Sequence, residues 1–221
     1  MRPERIPLVG GLVLAAMFGS AAVAYDALPA DTLLPVHYGL DGQPDRWGKP
    51  GLALFAMPLS ALIVWAAALV IPFIEPREEN RERSAKPTAT IILATMGLLA
   101  AIHAVTLANA FGVDLDMGAV VMTGLGLLFA IVGNLLGKLR PTFTVGIRTP
   151  WTLSDDRVWD KTHRATGRVY VAVGLAVAAM GLGAVPEGWR VPGMLLALVV
   201  VIGFPLTLSW GLWRQARRTG G

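Results

Sequence analysis

Apolar residues in this chain fall in long unbroken runs, and polar residues gather between the runs instead of alternating with them. Runs over 6–25, 51–74, 88–111, 117–136, 169–185 and 191–213 all fit the length of about 17–25 residues with which a helix crosses a hydrocarbon core. They predict an all-α, polytopic bundle of six transmembrane helices, forming one integral membrane domain over 1–221. In the first run Gly11, Ala15 and Gly19 repeat at four-residue spacing, which predicts close approach of a neighbouring helix. Ala22-Val23-Ala24 resembles a signal cleavage site, but the run is longer than the usual h-region of about 7–15 residues, so a retained helix is expected. Trp65 lies mid-span and reads as a packing residue.

Three polar segments matter. The stretch from Glu75 to Lys86 carries mixed charges and reads as a solvated loop. The 26–50 segment contains turn chemistry at Asp41-Gly42 and Pro44-Asp45. The longest, 137–168, has an internal pattern. Thr142 to Arg148 alternates polar with apolar residues, which predicts a short extended stretch with one apolar face. Pro150 biases Thr149 away from helix. Ser154 reads as an N-cap with Asp155 and Asp156 in the first turn. From there one helix is predicted to run into the apolar residues beginning at Val169. Trp159, His163 and Thr166 share its face, and Asp160 with Arg164 forms an i,i+4 ion pair. The expectation is an extended hook at the membrane surface, followed by a helix that enters the bilayer.

Charged residues make up only 15% of the chain and apolar ones 54%, against roughly 25% charged in soluble domains. There is no cysteine, which excludes disulfides, thiolate metal sites and thiol nucleophiles. The net charge of +4 is distributed as in a membrane protein, not as in a binder of nucleic acid. Sixteen of the nineteen Lys and Arg residues lie in the N-terminus, the 75–87 segment, the 137–168 segment and the C-terminal tail. Arg46, Lys49 and Arg190 lie on the opposite side. The positive-inside rule therefore places both termini and the hook in the cytoplasm, with 26–50 outside. Tyr25, Trp47 and Trp189 then fall at the outer interface, and Trp151, Trp210 and Trp213 at the inner one.

Candidate chemistry centres on the hook. Lys138, Arg140 and Arg148 flank it, and a helix N-terminus beside them attracts anions. A lipid phosphate, a peptide carboxylate or an acidic partner surface would fit there. Plain positive-inside anchoring accounts for the charges but not for Trp151, Thr152, Trp159 and His163. Gly133 and Gly137 let the preceding helix pack tightly. In the outer segment His37, Asp41 and Asp45 match no defined metal spacing, so no metal or cofactor is expected. His103 lies within a span. It reads either as a proton relay or as an interhelical hydrogen-bonding group, like Thr106, Asn109 and Asn134. No nucleophile elbow, zinc-protease helix or Walker loop is present. Asp160 and His163 share a helical face, as a catalytic dyad would.

Gly146-Ile147-Arg148-Thr149-Pro150-Trp151-Thr152-Leu153, then Val158-Trp159, Lys161-Thr162-His163-Arg164 and Gly167, closely resemble the signature loop of the SdpI family of bacterial membrane proteins. Thr142 stands where the family pattern has Asn. Pro35 to Gly39 and Gly42 to Trp47, with Lys49, resemble the short domain of unknown function that often precedes that signature. The resemblance implies a multi-pass protein of the bacterial cytoplasmic membrane that confers immunity to a secreted peptide toxin. In the family's namesake it extends to sequestering a transcriptional repressor. It also implies a functional loop of Asn134, Lys138, Arg140, Gly146, Arg148, Thr149, Pro150, Trp151, Thr152, Trp159, His163 and Arg164. His37, Gly39, Asp41, Asp45 and Trp47 form the outer-loop set. The partners implied are the lipid bilayer, a peptide toxin, and a repressor or anionic lipid at the hook. The alternatives are a small transporter coupled through His103 and a membrane enzyme acting at the cytoplasmic face through Asp160 and His163.

The orientation is testable because the chain has no native thiol. Cysteine introduced at Asp41 or Glu187 is expected to react with an impermeant reagent in intact cells. At Asp156 or Glu79 it is expected to react only after lysis, and labelling of position 156 from outside would overturn the assignment.

Overall fold

The apolar runs become helices because a backbone in lipid must satisfy its own hydrogen bonds. A computed structural model describes residues 6–39 and 41–219. The order is α1 (Ile6–Ala27), β1 (Leu34–Tyr38), β2 (Pro44–Gly48), α2 (Pro50–Ile74), α3 (Glu78–Ala110), α4 (Met117–Leu136), α5 (Pro150–Ser154), α6 (Asp156–Gly181), a 3-10 turn (Glu187–Trp189) and α7 (Arg190–Thr219). Arg2 and Arg5, which the charge argument uses, lie outside the described residues.

Five helices, α1 to α4 and α7, are long and apolar enough to cross a membrane. The sixth expected span falls on α6, which ends at Gly181, four residues short of the expected 185. Its apolar part from Val169 extends only about 20 Å at 1.5 Å per residue, because Arg164 and Arg168 belong to its first half.

Two further differences come from local chemistry. The expected solvated loop from Glu75 to Lys86 is a brief turn followed by the first turns of α3, a helix of 33 residues. At about 50 Å that helix outruns the hydrocarbon core of about 30 Å, and its polar start projects beside the hook. The bundle also carries a β-hairpin. β1 and β2 pair antiparallel, Leu34 opposite Gly48 and Tyr38 opposite Pro44, around a turn in which Gly42 has φ +80°. That turn rests on Gly118 at the start of α4. A Cβ built on Gly42 would lie 2.9 Å from the Gly118 Cα, and the reverse holds too.

Leu14, Met17, Ala61 and Met96 form the buried contact of α1, α2 and α3. Trp65 is a packing residue, as its mid-span position suggests. Its indole lies against Gly10, and its Nε1 donates to the Pro7 carbonyl at 3.2 Å. The Gly11–Ala15–Gly19 stripe does not receive a helix, and a Cβ on Gly19 would meet nothing within 4 Å. Close approach happens elsewhere, between the antiparallel α4 and α6. Gly126 faces Gly174, Gly133 faces Gly167 and Gly181 lies against Thr123, the glycines seven residues apart on each helix, so the two backbones touch. A Cβ on Gly174 would sit 2.5 Å from both Ala130 N and Gly126 O.

Gly174→Val is therefore expected to force α4 and α6 apart, at a cost of about 1–3 kcal/mol for overpacking. Gly19→Ala should be neutral or slightly stabilising. Thermal unfolding of the detergent-solubilised chain checks the pair, and equal midpoints would refute the seam.

Candidate functional site

The hook begins where α4 ends and must find partners for a non-helical backbone at the rim of the bundle. The carboxylate of Glu75, at the C-cap of α2 and only 3% exposed, supplies most of them. Its Oε2 accepts from Phe143 N at 2.9 Å, Thr144 N at 3.0 Å and Thr144 Oγ1 at 2.7 Å. Its Oε1 accepts from Arg77 N at 3.1 Å. The α3 start adds to this grip. Asn80 Nδ2 donates to the Pro141 carbonyl at 2.9 Å, and Ser84 Oγ accepts from Arg140 N at 2.9 Å. Arg77 pairs with Asp156 at 3.1 Å, and its guanidinium lies 5.1 Å from the Phe143 ring centre.

Thr142 to Arg148 is not the extended stretch expected, since it has no strand partner among the described residues and bends over 143–146. Thr142 Oγ1 donates to the Val145 carbonyl at 2.9 Å, closing a tight turn. Val145 and Ile147 point inward onto Leu136, Leu139 and Trp159, whereas Phe143 points out. Arg148 Nη1 donates to the Phe143 carbonyl at 2.9 Å and fastens one side of the loop to the other.

Pro150 opens a helix here, as its fixed φ suits at N1. α5 is capped by Thr149 and Thr152 reciprocally, a capping box. Thr152 Oγ1 donates to the Ile147 carbonyl at 2.7 Å, and Thr149 Oγ1 donates to Ser209 Oγ on α7 at 3.2 Å. Ser154 consequently ends α5 instead of starting the next helix. The N-cap of α6 is Asp155, whose side chain accepts from Arg157 N and Val158 N.

Trp159, His163 and Thr166 do share one face of α6, and that face is buried. Trp159 is thus a core residue, 0% exposed. Its Nε1 donates to the Leu139 carbonyl at 3.0 Å, and its ring stacks on His163 at 3.9 Å. His163 Nε2 accepts from Ile147 N at 2.9 Å, so Nδ1 carries the proton and donates to the Trp159 carbonyl at 2.9 Å. Gly146, at φ +128°, lies directly over this stack. A Cβ there would be 2.7 Å from the indole and 2.8 Å from His163 Nε2. Burial pushes the His163 imidazole down to about 4, against the small raising effect of its bond to the Trp159 carbonyl.

The remaining expected site residues scatter. Trp151 is half-buried, while Lys138, Arg140, Arg148 and Arg164 are exposed, the stem of Arg164 covering Gly137. Asn134 is exposed and joins neither the hook nor a neighbouring helix. Asp160 and Arg164 form no ion pair, and Asp160 does not reach His163, whose two nitrogens are taken. The outer-loop set sits at the opposite end of the bundle. His37 Nδ1 meets Asp45 Oδ1 at 2.6 Å, Asp41 Oδ1 accepts from Gln43 N at 3.0 Å, and Gly39 N donates to Gln43 O at 2.8 Å. Trp47 is 54% exposed. Among the described residues no three His, Cys, Asp or Glu side chains gather as a metal site would require. His103 bonds across helices, its Nε2 lying 3.0 Å from Ser20 Oγ on α1, while Thr106 bonds within its own helix and Asn109 bonds Leu115 in the α3–α4 turn.

Sequence reading missed Glu75, Ser84 and Ser209. Glu75 had a usable signal. An acid at a helix C-terminus opposes the dipole, so one placed directly after an apolar span needs partners from elsewhere in the fold.

Residues 138–209 match the family model described as the SdpI/YfhL protein family, and residues 12–62 match a domain of unknown function, DUF1648. The immunity protein SdpI of Bacillus subtilis (strain 168) is 23% identical over 176 residues, covering 78% of this chain and 80% of that protein. No solved structure matches. Both resemblances read from the sequence are borne out, and with its apolar helices the chain is a multi-pass membrane protein embedded in a lipid bilayer.

Because the folded imidazole titrates near 4 and an unfolded one near 6.5, the unfolded chain binds more protons between those values. Stability is then greatest above pH 6.5 and falls as pH drops toward 4, by about 3 kcal/mol in all. Unfolding midpoints should show that loss in the parent protein and much less of it in His163→Gln, and parallel profiles would exclude His163 as the cause.

Proposed function

We propose that this chain, which carries an SdpI-family segment behind a DUF1648 segment, is an immunity protein of the bacterial cytoplasmic membrane. It protects its cell against an extracellular killing peptide. The observation that carries this reading is the match to an immunity protein along more than three quarters of both chains. The hook supports it. Its inner side is fixed by Glu75, Trp159 and His163, while Lys138, Arg140, Arg157, Lys161, Arg164 and Arg168 stand exposed around it, without ion pairs among the described residues. A rigid basic face of this kind suits docking of an acidic surface, either a repressor protein held at the membrane or anionic lipid. With both termini and the hook cytoplasmic, the hairpin faces the side from which a peptide arrives.

Arg148 separates a working hook from a simple anchor. Arg148→Lys keeps the charge but gives up the planar guanidinium whose Nη1 reaches the Phe143 carbonyl, and with it the fork of donors that matches a carboxylate or phosphate. It is expected to insert normally yet lose protection in sensitive cells challenged with a secreted killing peptide, scored separately from membrane abundance. Lys138→Gln with Arg140→Gln is the comparison: for a simple anchor this pair should lower membrane abundance more than any single change within Gly146–Leu153. Full protection by Arg148→Lys would reduce the hook to an anchor.

A further inference from the structure

Between the hairpin and the ends of α2, α3, α4 and α7 lies a cavity of about 580 Å³, a size typical of ligand pockets. Four of the chain's eight methionines, Met57, Met117, Met122 and Met194, line it. Methionine is the side chain that repacks most readily around varied apolar shapes. Two guanidinium groups, those of Arg46 and Arg190, stand in its wall. Arg46 is exposed and has no ion pair among the described residues. Arg190 has only a loose one, with Nη1 3.7 Å from Asp116 Oδ2 and a buried Nε that meets no acceptor. The third component is backbone. Pro35 to Tyr38 of β1 line the cavity, and among the described residues β1 pairs only with β2, so its other edge lacks a strand.

We infer that this vault binds the apolar carboxyl-terminal segment of a peptide: side chains among the methionines, backbone along β1, and terminal carboxylate toward Arg46 and Arg190. A phospholipid would use the apolar lining and the guanidinium groups, but an acyl chain has nothing to pair with a strand edge, whereas an extended peptide does. Planar guanidinium groups favour a carboxylate through paired N–H donors. The hairpin is held over the vault by the Gly42–Gly118 contact. The inference deepens the immunity reading by naming the surface that meets the peptide, and it rests on that reading only for the peptide's biological source.

The test uses the full chain in phosphatidylcholine nanodiscs and an apolar heptapeptide of leucine, valine and alanine with a fluorescent N-terminus, supplied as free acid and as amide. Anisotropy should show the acid binding at least tenfold more tightly than the amide. Met122→Trp, which fills the vault, should weaken the acid tenfold or more, with Ala56→Leu as a second filling variant should the first not fold. Leu127→Trp, on the exposed side of α4, should change nothing, and Arg46→Gln should erase most of the preference for acid. Equal binding of acid and amide, undiminished binding in both filled variants, or displacement of the peptide by phosphatidylglycerol would each overturn the proposal, the last assigning the vault to lipid. Survival of challenged cells is scored apart. Binding without protection would overturn the immunity reading alone, and protection by filled variants that no longer bind would overturn this site alone.

Discussion

A carboxylate with four hydrogen bonds holds the hook in place. Taking an acid out of water costs several kcal/mol unless its oxygens are satisfied, and a backbone that is neither helix nor sheet has N–H groups in the same need. Glu75 and the Phe143–Thr144 turn answer both demands at once. Because Glu75 closes α2 and its neighbour Arg77 opens α3, the loop is tied to two helices that are distant from it in sequence. The direction of α3, the position of Pro141 under Asn80 and the Arg77–Asp156 pair all follow from that one anchorage.

The second support is the stack of Gly146, His163 and Trp159. Each member restricts the others: the indole needs the Leu139 carbonyl, the imidazole needs Ile147 N, and only glycine leaves room above them. The first half of α6 is thereby drawn under the hook, and the glycine seam draws its second half onto α4. A helix engaged in this way at both ends does not need a full-length apolar surface of its own. That explains how α6 carries arginines where its neighbours carry leucine and valine.

Long apolar runs made the helices legible in the sequence, because burial in lipid leaves little choice of secondary structure. The boundaries shifted where a stronger local signal competed. Pro150 was read through its effect on Thr149, yet its preference for a helix's first position prevailed, and Ser154 yielded its capping role to Asp155. The residues of the hook were identifiable by type, whereas their roles were not. Trp159 and His163 resemble interfacial groups on a helical wheel, and only the loop folding over them makes them core. Glu75 escaped because its partners lie far along the chain, and no periodicity encodes a contact of that separation. The glycine seam was visible at Gly133 alone, since spacing by seven becomes evident only when both helices are compared.

The distance between Glu75 and Thr144, 69 residues along the chain, sets an order on biogenesis. At roughly 5–20 residues per second, the ribosome delivers Thr144 several seconds after Glu75. Until then the acid at the junction of α2 and α3 has no loop to receive it. The carboxylate gains its loop partners only after α3 and α4 have been made. Closure of the hook therefore follows synthesis of α3 and α4, and a chain ending before Thr144 would leave Glu75 without its partners from the hook.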